Sequence, residues 1–226
     1  MNSITHFLTG YLIGRTVFKK KNDHFIPFFC ALVAILPDID QFLHLIFPIP
    51  LLEHAVFTHT IIGMILITLL FTIMNWAIGH KFLNNLDINF KLLTIVALSG
   101  MFSHLILDVF TYREDILTTN AHLYFWPFWN FSFHLNAFFP QSVYPDIYII
   151  RLVIEVVYTA IIGIYIIFYQ WGYRKENPFF MFNPKLWLNY LPESVDKNQN
   201  KKYAYSLLIT NLLLLGLISV GMVAYF

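Results

Sequence analysis

Five stretches of this chain, roughly 25–47, 60–79, 92–111, 147–171 and 204–226, stay apolar for long enough to cross a bilayer. Each meets the ~20 residues that a helix rising 1.5 Å per residue needs to span a hydrocarbon core about 30 Å thick. Inside such a core only helices and closed barrels satisfy every backbone N–H and C=O, and no strand-like alternation runs through these segments. The expected fold is therefore all-α, a polytopic transmembrane helix bundle. Only 12% of residues are charged, against about 25% in soluble domains, too little polar surface to coat a globule in water. A shorter apolar segment, Ile4 to Phe18, is about four turns long and fits a short or tilted crossing. The expected organisation is five long spanning helices plus this short N-terminal helix. Residues 1–171 form a membrane-embedded domain, 172–203 a polar cytoplasmic loop and 204–226 a C-terminal transmembrane helix. There is no convincing internal repeat.

Charge gives the bundle an orientation. If the chain crosses at every segment, Arg15, Lys19 to Lys21, Lys81, Lys91, Arg174, Lys175, Lys185, Lys197, Lys201 and Lys202 share one side. Those are twelve of the 14 Lys and Arg, with only Arg113 and Arg151 opposite. The positive-inside rule makes the basic side cytoplasmic and the protein a multi-pass component of the inner (plasma) membrane. The external stretch around 112–146 carries Tyr124, Phe125, Trp126, Phe128 and Trp129, as an interfacial aromatic belt does. A net charge of +1 gives no basic field for nucleic acid. The single cysteine, Cys30, excludes an intrachain disulfide and argues against a thiolate metal site. The N-terminus does not read as a cleaved signal peptide, because its apolar stretch precedes the Lys19-Lys20-Lys21 cluster.

The segment 25–47 is interrupted by Pro37, with Asp38 and Asp40 directly after it. Proline removes a backbone donor and clashes with the preceding turn. Two carboxylates beside irregular backbone at membrane depth require protein or a polar cavity to receive them. On the topology above, the ionisable residues gather at one level in the outer half: His6, Asp38, Asp40, His44, His54, His59, His104, Asp108, Arg151 and Glu155. The inner halves carry almost none. His104 and Asp108 are four apart and share a helix face, as do Asp40 with His44 and Arg151 with Glu155. Imidazole nitrogen with carboxylate oxygen is the ligand set of zinc and other borderline divalent ions. Each pair also has a plainer reading: a helix-capping Asp, a buried hydrogen-bonded His–Asp pair, an intrahelical Arg–Glu ion pair.

The order of motifs resembles a known family. Thr5-His6 with Gly10 and Gly14 is followed by Leu36-Pro37-Asp38-Ile39-Asp40, by His54-x-x-x-Thr58-His59, by Ser103-His104-x-x-x-Asp108-x-x-Thr111 and by Trp126-Pro127-Phe128. Across roughly residues 1–160 this is similar to the YdjM-type membrane-bound metal-dependent hydrolases, which look distantly similar to zinc-dependent phospholipases C. The resemblance implies that His6, Asp38, His59, His104 and Asp108 bind metal, with Asp108 as a possible bridge between two ions. It implies for Asp40 a role as ligand, as partner of a ligand or as base. Glu155 stands where the soluble relatives place a His-x-x-x-Glu pair, but Arg151 replaces the His. Ala55 stands where the family usually has Arg, and His122 has no secure counterpart.

The expected function is a metal-dependent hydrolase, a phosphoesterase acting on a phospholipid or lipid-linked phosphoester at the extracytoplasmic half of the membrane. The expected cofactor is a divalent metal, zinc first among the candidates, as one or two ions. Such an ion lowers the pKa of its water toward about 7. Asp40 or Glu155 is placed to take a proton and Arg151 to hold a phosphate oxygen. The competing readings are a divalent metal-ion transporter and a non-catalytic membrane protein with a structural metal.

Overall fold

The structure is a computed structural model, and it describes residues 3–18, 25–52, 56–82, 90–109 and 146–173, with isolated residues beyond them. It is helical throughout, with no strand among the described residues. Helix α1 runs Ser3–Thr16, α2 Phe25–Ile35 and α3 Ile39–Ile46, with a 3-10 turn Leu36–Asp38 between the last two. Helix α4 spans Ile61–Phe82, α5 Phe90–Val109 and α6 Ile147–Ile167, the last continuing into a π-helical turn, Phe168–Tyr173.

Four stretches are long and apolar enough to cross a membrane: Phe25–Ile46, Ile61–Ile78, Phe90–Val109 and Leu152–Gly172. The fifth expected span, 204–226, lies almost entirely outside the described residues. Those of it that are described, Tyr205, Ile209, Asn211, Leu212, Leu213 and Gly216, are helical, and Asn211 Nδ2 donates to Asn75 Oδ1 of α4 at 3.2 Å. Helix α1 has 14 residues, about 21 Å of rise, which is short of a hydrocarbon core by itself. The polar loop 174–203 and most of 110–145 lie outside the described residues.

Helix α2 is the axis of the bundle. All eleven of its residues are buried, and it is packed by α1, by α5 and by α4, whose Phe71 ring stacks on Phe29 at 5.5 Å. Its sequence lacks any charged residue, so nothing opposes burial on every side. Pro27 sits in the first turn, where its missing N–H costs no intrahelical bond. Pro37 ends the regular helix, and the chain tightens into the 3-10 turn before resuming as α3.

Small residues set the register of α1 and α5 on this axis. A Cβ on Gly10 would fall 2.6 Å from Ala34 Cβ and 2.7 Å from the Cys30 carbonyl oxygen. A Cβ on Gly100 would fall 2.7 Å from that same oxygen and 3.3 Å from Ala34 N. In a membrane, where lipid is as apolar as leucine, such backbone approach is what holds helices together. One turn beyond each contact stands a site residue: His6 before Gly10 on α1, Asp38 after Ala34 on α2, His104 after Gly100 on α5. The packing that fixes the glycines therefore brings these three side chains to one level.

Candidate metal centre

The 3-10 turn after α2 carries Asp38, and the first turn of α3 carries Asp40, which is fully buried. His59 arrives from the turn ahead of α4. Thr60 caps that helix, its Oγ1 accepting from Gly63 N at 2.9 Å, which anchors the residue just before it. Helix α1 contributes His6, and α5 contributes His104 and Asp108 from one face. His6 and His104 have no exposed surface, and Asp38, His59 and Asp108 at most 4%.

Five of these side chains converge. His59 Nε2 lies 3.2 Å from His104 Nε2, 3.6 Å from Asp38 Oδ1 and 3.5 Å from Asp108 Oδ2. His104 Nε2 lies 2.9 Å from Asp108 Oδ2 and 3.9 Å from Asp38 Oδ1. His6 stacks on His104 with ring centroids 3.9 Å apart, and its Nε2 is 3.1 Å from the other oxygen of Asp108, Oδ1. Two overlapping trios, His6–Asp38–His104 and His59–His104–Asp108, each hold their ligand atoms within 4.8 Å of one another.

The surrounding hydrogen bonds fix which atoms face inward. His104 Nδ1 is 2.7 Å from the Ala34 carbonyl oxygen. A carbonyl only accepts, so Nδ1 carries the proton and Nε2 turns its lone pair to the cluster. His59 Nδ1 lies 3.0 Å from Thr58 Oγ1 and 3.3 Å from Asp40 Oδ2, while Thr58 Oγ1 donates to Asp40 Oδ2 at 2.5 Å. This tie leaves His59 Nε2 facing the cluster as an acceptor. Ser3 Oγ donates to Asp38 Oδ2, leaving Oδ1 on the cluster side. Neither nitrogen of the fully buried His6 has a hydrogen-bond partner, for Asp108 Oδ1 is near in distance but out of line.

Carboxylate oxygens and imidazole nitrogens gathered this closely repel one another unless a proton or a cation sits among them. One proton bridges one pair of atoms; a divalent ion serves several at once. The size also fits: zinc bonds of about 2.0–2.2 Å in a tetrahedron put ligand atoms about 3.3–3.6 Å apart. Five of the six separations among His59 Nε2, His104 Nε2, Asp38 Oδ1 and Asp108 Oδ2 run from 2.9 to 3.9 Å. These residues thus fit a divalent metal by donor type, burial and spacing.

Of the residues singled out in the sequence, the structure brings together His6, Asp38, His59, His104 and Asp108. Asp40 stands behind His59, on the Nδ1 side of the ring, away from the converging atoms. Glu155 is buried on α6 but belongs to neither trio. His44, on α3, is half-buried and also belongs to neither. The side chain of Arg151 lies outside the described residues, as do His54, Ala55 and His122. Ser3 and the Ala34 carbonyl are contributions that the sequence did not reveal. Ser3 sits one turn before His6 and so shares its face, a usable signal; nothing in a sequence announces a backbone carbonyl.

Replacing Asp40 with Asn tests its place behind the ring. The variant keeps the shape but loses the carboxylate that orients His59, so metal affinity should fall about 10–100-fold. Competition against a chromophoric chelator measures this, and an affinity unchanged from the parent protein removes Asp40 from the centre.

A family model described as YdjM inner membrane protein matches residues 1–221. The match extends past the 1–160 over which the motifs were read. No curated protein and no solved structure matches the chain.

Proposed function

The chain belongs to the YdjM inner membrane protein family, and from that premise we propose that it is a metal-dependent hydrolase embedded in the membrane, a phosphoesterase acting on a lipid or lipid-linked substrate. The observation that carries this reading is the placement of Asp108. One of its oxygens lies beside His59 and His104, and the other lies 3.1 Å from His6 Nε2. A carboxylate with an oxygen toward each group of nitrogens would suit a pair of divalent ions of the kind that serve phosphoester hydrolysis.

Zinc suits the ligand set, and two ions suit the five side chains. A divalent ion here supplies Lewis acidity, making water nucleophilic near neutral pH and neutralising charge on a phosphoryl oxygen. The chain's own groups do the rest. Asp40 and Thr58 hold the His59 ring; Ser3 holds Asp38; the Ala34 carbonyl holds His104. On the resemblance to the soluble relatives, Glu155 would take a proton from the attacking water, and Arg151, four residues before it in the sequence, would hold a phosphate oxygen. The site faces the extracytoplasmic half, an assignment that rests on the twelve basic residues counted to the other side.

Below the cluster the bundle closes. Cys30, Ala31, Val33, Val96, Ala97 and Met101 have no exposed surface. This apolar packing leaves no polar path between α2 and α5, which supports hydrolysis over ion transport by that route. A structural metal is the second reading, favoured by the closed set of four inward atoms from His59, His104, Asp38 and Asp108, since catalytic zinc keeps a position open.

The test is metal analysis of the purified protein, followed by phosphodiester hydrolysis in mixed micelles before chelation, after it, and after zinc is returned. Bound zinc with turnover that is lost and restored is the expected result. Zinc bound in full with no turnover on phospholipids or lipid-linked phosphoesters replaces hydrolysis with the structural reading. Protein that neither retains nor binds a divalent metal sinks both.

A further inference from the structure

Two carboxylates of the metal centre are set differently. Asp108 turns an oxygen toward each group of nitrogens: Oδ2 lies 2.9 Å from His104 Nε2, and Oδ1 lies 3.1 Å from His6 Nε2. Asp38 turns Oδ1 toward the cluster, 3.6 Å from His59 Nε2 and 3.9 Å from His104 Nε2. Its other oxygen, Oδ2, accepts from the hydroxyl of Ser3. Both residues are buried, Ser3 at 6% exposure and Asp38 at 4%, so bulk water is a poor substitute for that donor.

Ser3 is the first residue of α1, and His6 lies one turn further on, on the same face. Gly10, two turns from Ser3, continues that face and presses on Ala34 of α2, one turn before Asp38. One face of α1 thus supplies a candidate ligand, the packing contact and the hydroxyl that restrains a second candidate ligand. That hydroxyl reaches across 35 residues of sequence to a side chain on another element.

We propose that Ser3 is a positioning residue that sets which divalent metal the centre prefers. The proposal rests on the metal binding in the function proposed above and not on the hydrolysis. A carboxylate gives a metal one oxygen or two. Zinc favours four ligands, whereas manganese favours six and suits oxygen donors. A hydroxyl donating to Oδ2 competes with a metal for that oxygen and holds Asp38 to a single bond through Oδ1. Ser3 therefore keeps the ligand count low, which favours zinc. Without the hydroxyl, Oδ2 loses that donor inside the protein, and a metal that accepts a second oxygen from Asp38 takes its place. Manganese gains more from the extra oxygen than zinc does.

The test is equilibrium dialysis of the full chain in detergent micelles against buffered zinc and manganese together, with both metals counted by mass spectrometry. The proteins compared are the parent, Ser3→Ala and Ser3→Thr. Ser3→Ala should narrow the preference for zinc over manganese about tenfold, the worth of one hydrogen bond to a charged group. Ser3→Thr keeps a hydroxyl on the same carbon and should hold the parent's ratio. If Ser3 only held α1 in place, its loss would weaken both ions alike. A Ser3→Ala ratio equal to the parent's therefore overturns the proposal, whatever the affinities. So does an equal shift in Ser3→Thr, which traces the effect to a disturbed helix rather than to a missing donor. A parent protein that binds neither ion removes the metal centre and the proposal with it. An unchanged ratio on a metal-loaded protein removes Ser3 alone and leaves the hydrolytic reading standing.

Discussion

The His104→Ala variant should lose bound metal almost completely. Its Nε2 belongs to both ligand trios, lying 3.2 Å from His59 Nε2 and 2.9 Å from Asp108 Oδ2. Its ring also stacks on His6, so one truncation removes a ligand and the support of another. The expected loss of affinity exceeds the ~10–100-fold that outer partners cost, and phosphoester hydrolysis falls with it. Asp108→Asn should do the same with little change in volume, because an amide offers one acceptor oxygen where the carboxylate offered two. Elemental analysis of both variants, with helical content checked by circular dichroism, measures the effect. Stoichiometric metal in both folded variants would remove these residues from the centre.

The second large effect is expected at a residue that touches no ligand. In Gly10→Val the new Cβ falls 2.6 Å from Ala34 Cβ and 2.7 Å from a backbone oxygen, so α1 must move off α2. Overpacking of this kind costs about 1–3 kcal/mol, and more where backbone rather than a flexible side chain stands in the way. His6 is one turn away on the same helix and retreats with it. Both Tm in detergent and metal content should therefore drop. Gly163→Ala is the control: its nearest neighbour is Leu8 Cδ1 at 4.0 Å, and alanine should be neutral or slightly stabilising there. A Gly10→Val protein with the parent's Tm and zinc content means that α1 does not depend on this contact.

The sequence disclosed the four described spans because about twenty apolar residues in a row leave few alternatives, and the break at Pro37 because proline has no N–H to give. The pairing of His104 with Asp108 was legible from helical spacing alone. The level shared by His6, Asp38 and His104 followed from depth arithmetic, although its cause, the Gly10 and Gly100 contacts with α2, needed three-dimensional packing. The position of Asp40 was not legible. Asp40 would share the face of Asp38 in an extended chain and lie about 200° around in a helix, so its direction waited on the 3-10 turn that leads into α3 and sets it behind the His59 ring. The Ala34 carbonyl and the π-helical turn around Gln170 were invisible for a similar reason: neither depends on residue type in any pattern that can be read along the chain.

The bond from His104 Nδ1 to the Ala34 carbonyl has a consequence for how long ions stay. It leaves His104 one nitrogen to give, while two trios call on it. If two ions were held here, as proposed, only one of them could use that nitrogen. The ion with His59 and His104 would then exchange more slowly than a neighbour left with His6 and carboxylate oxygens, so the five side chains would give two unequal off-rates.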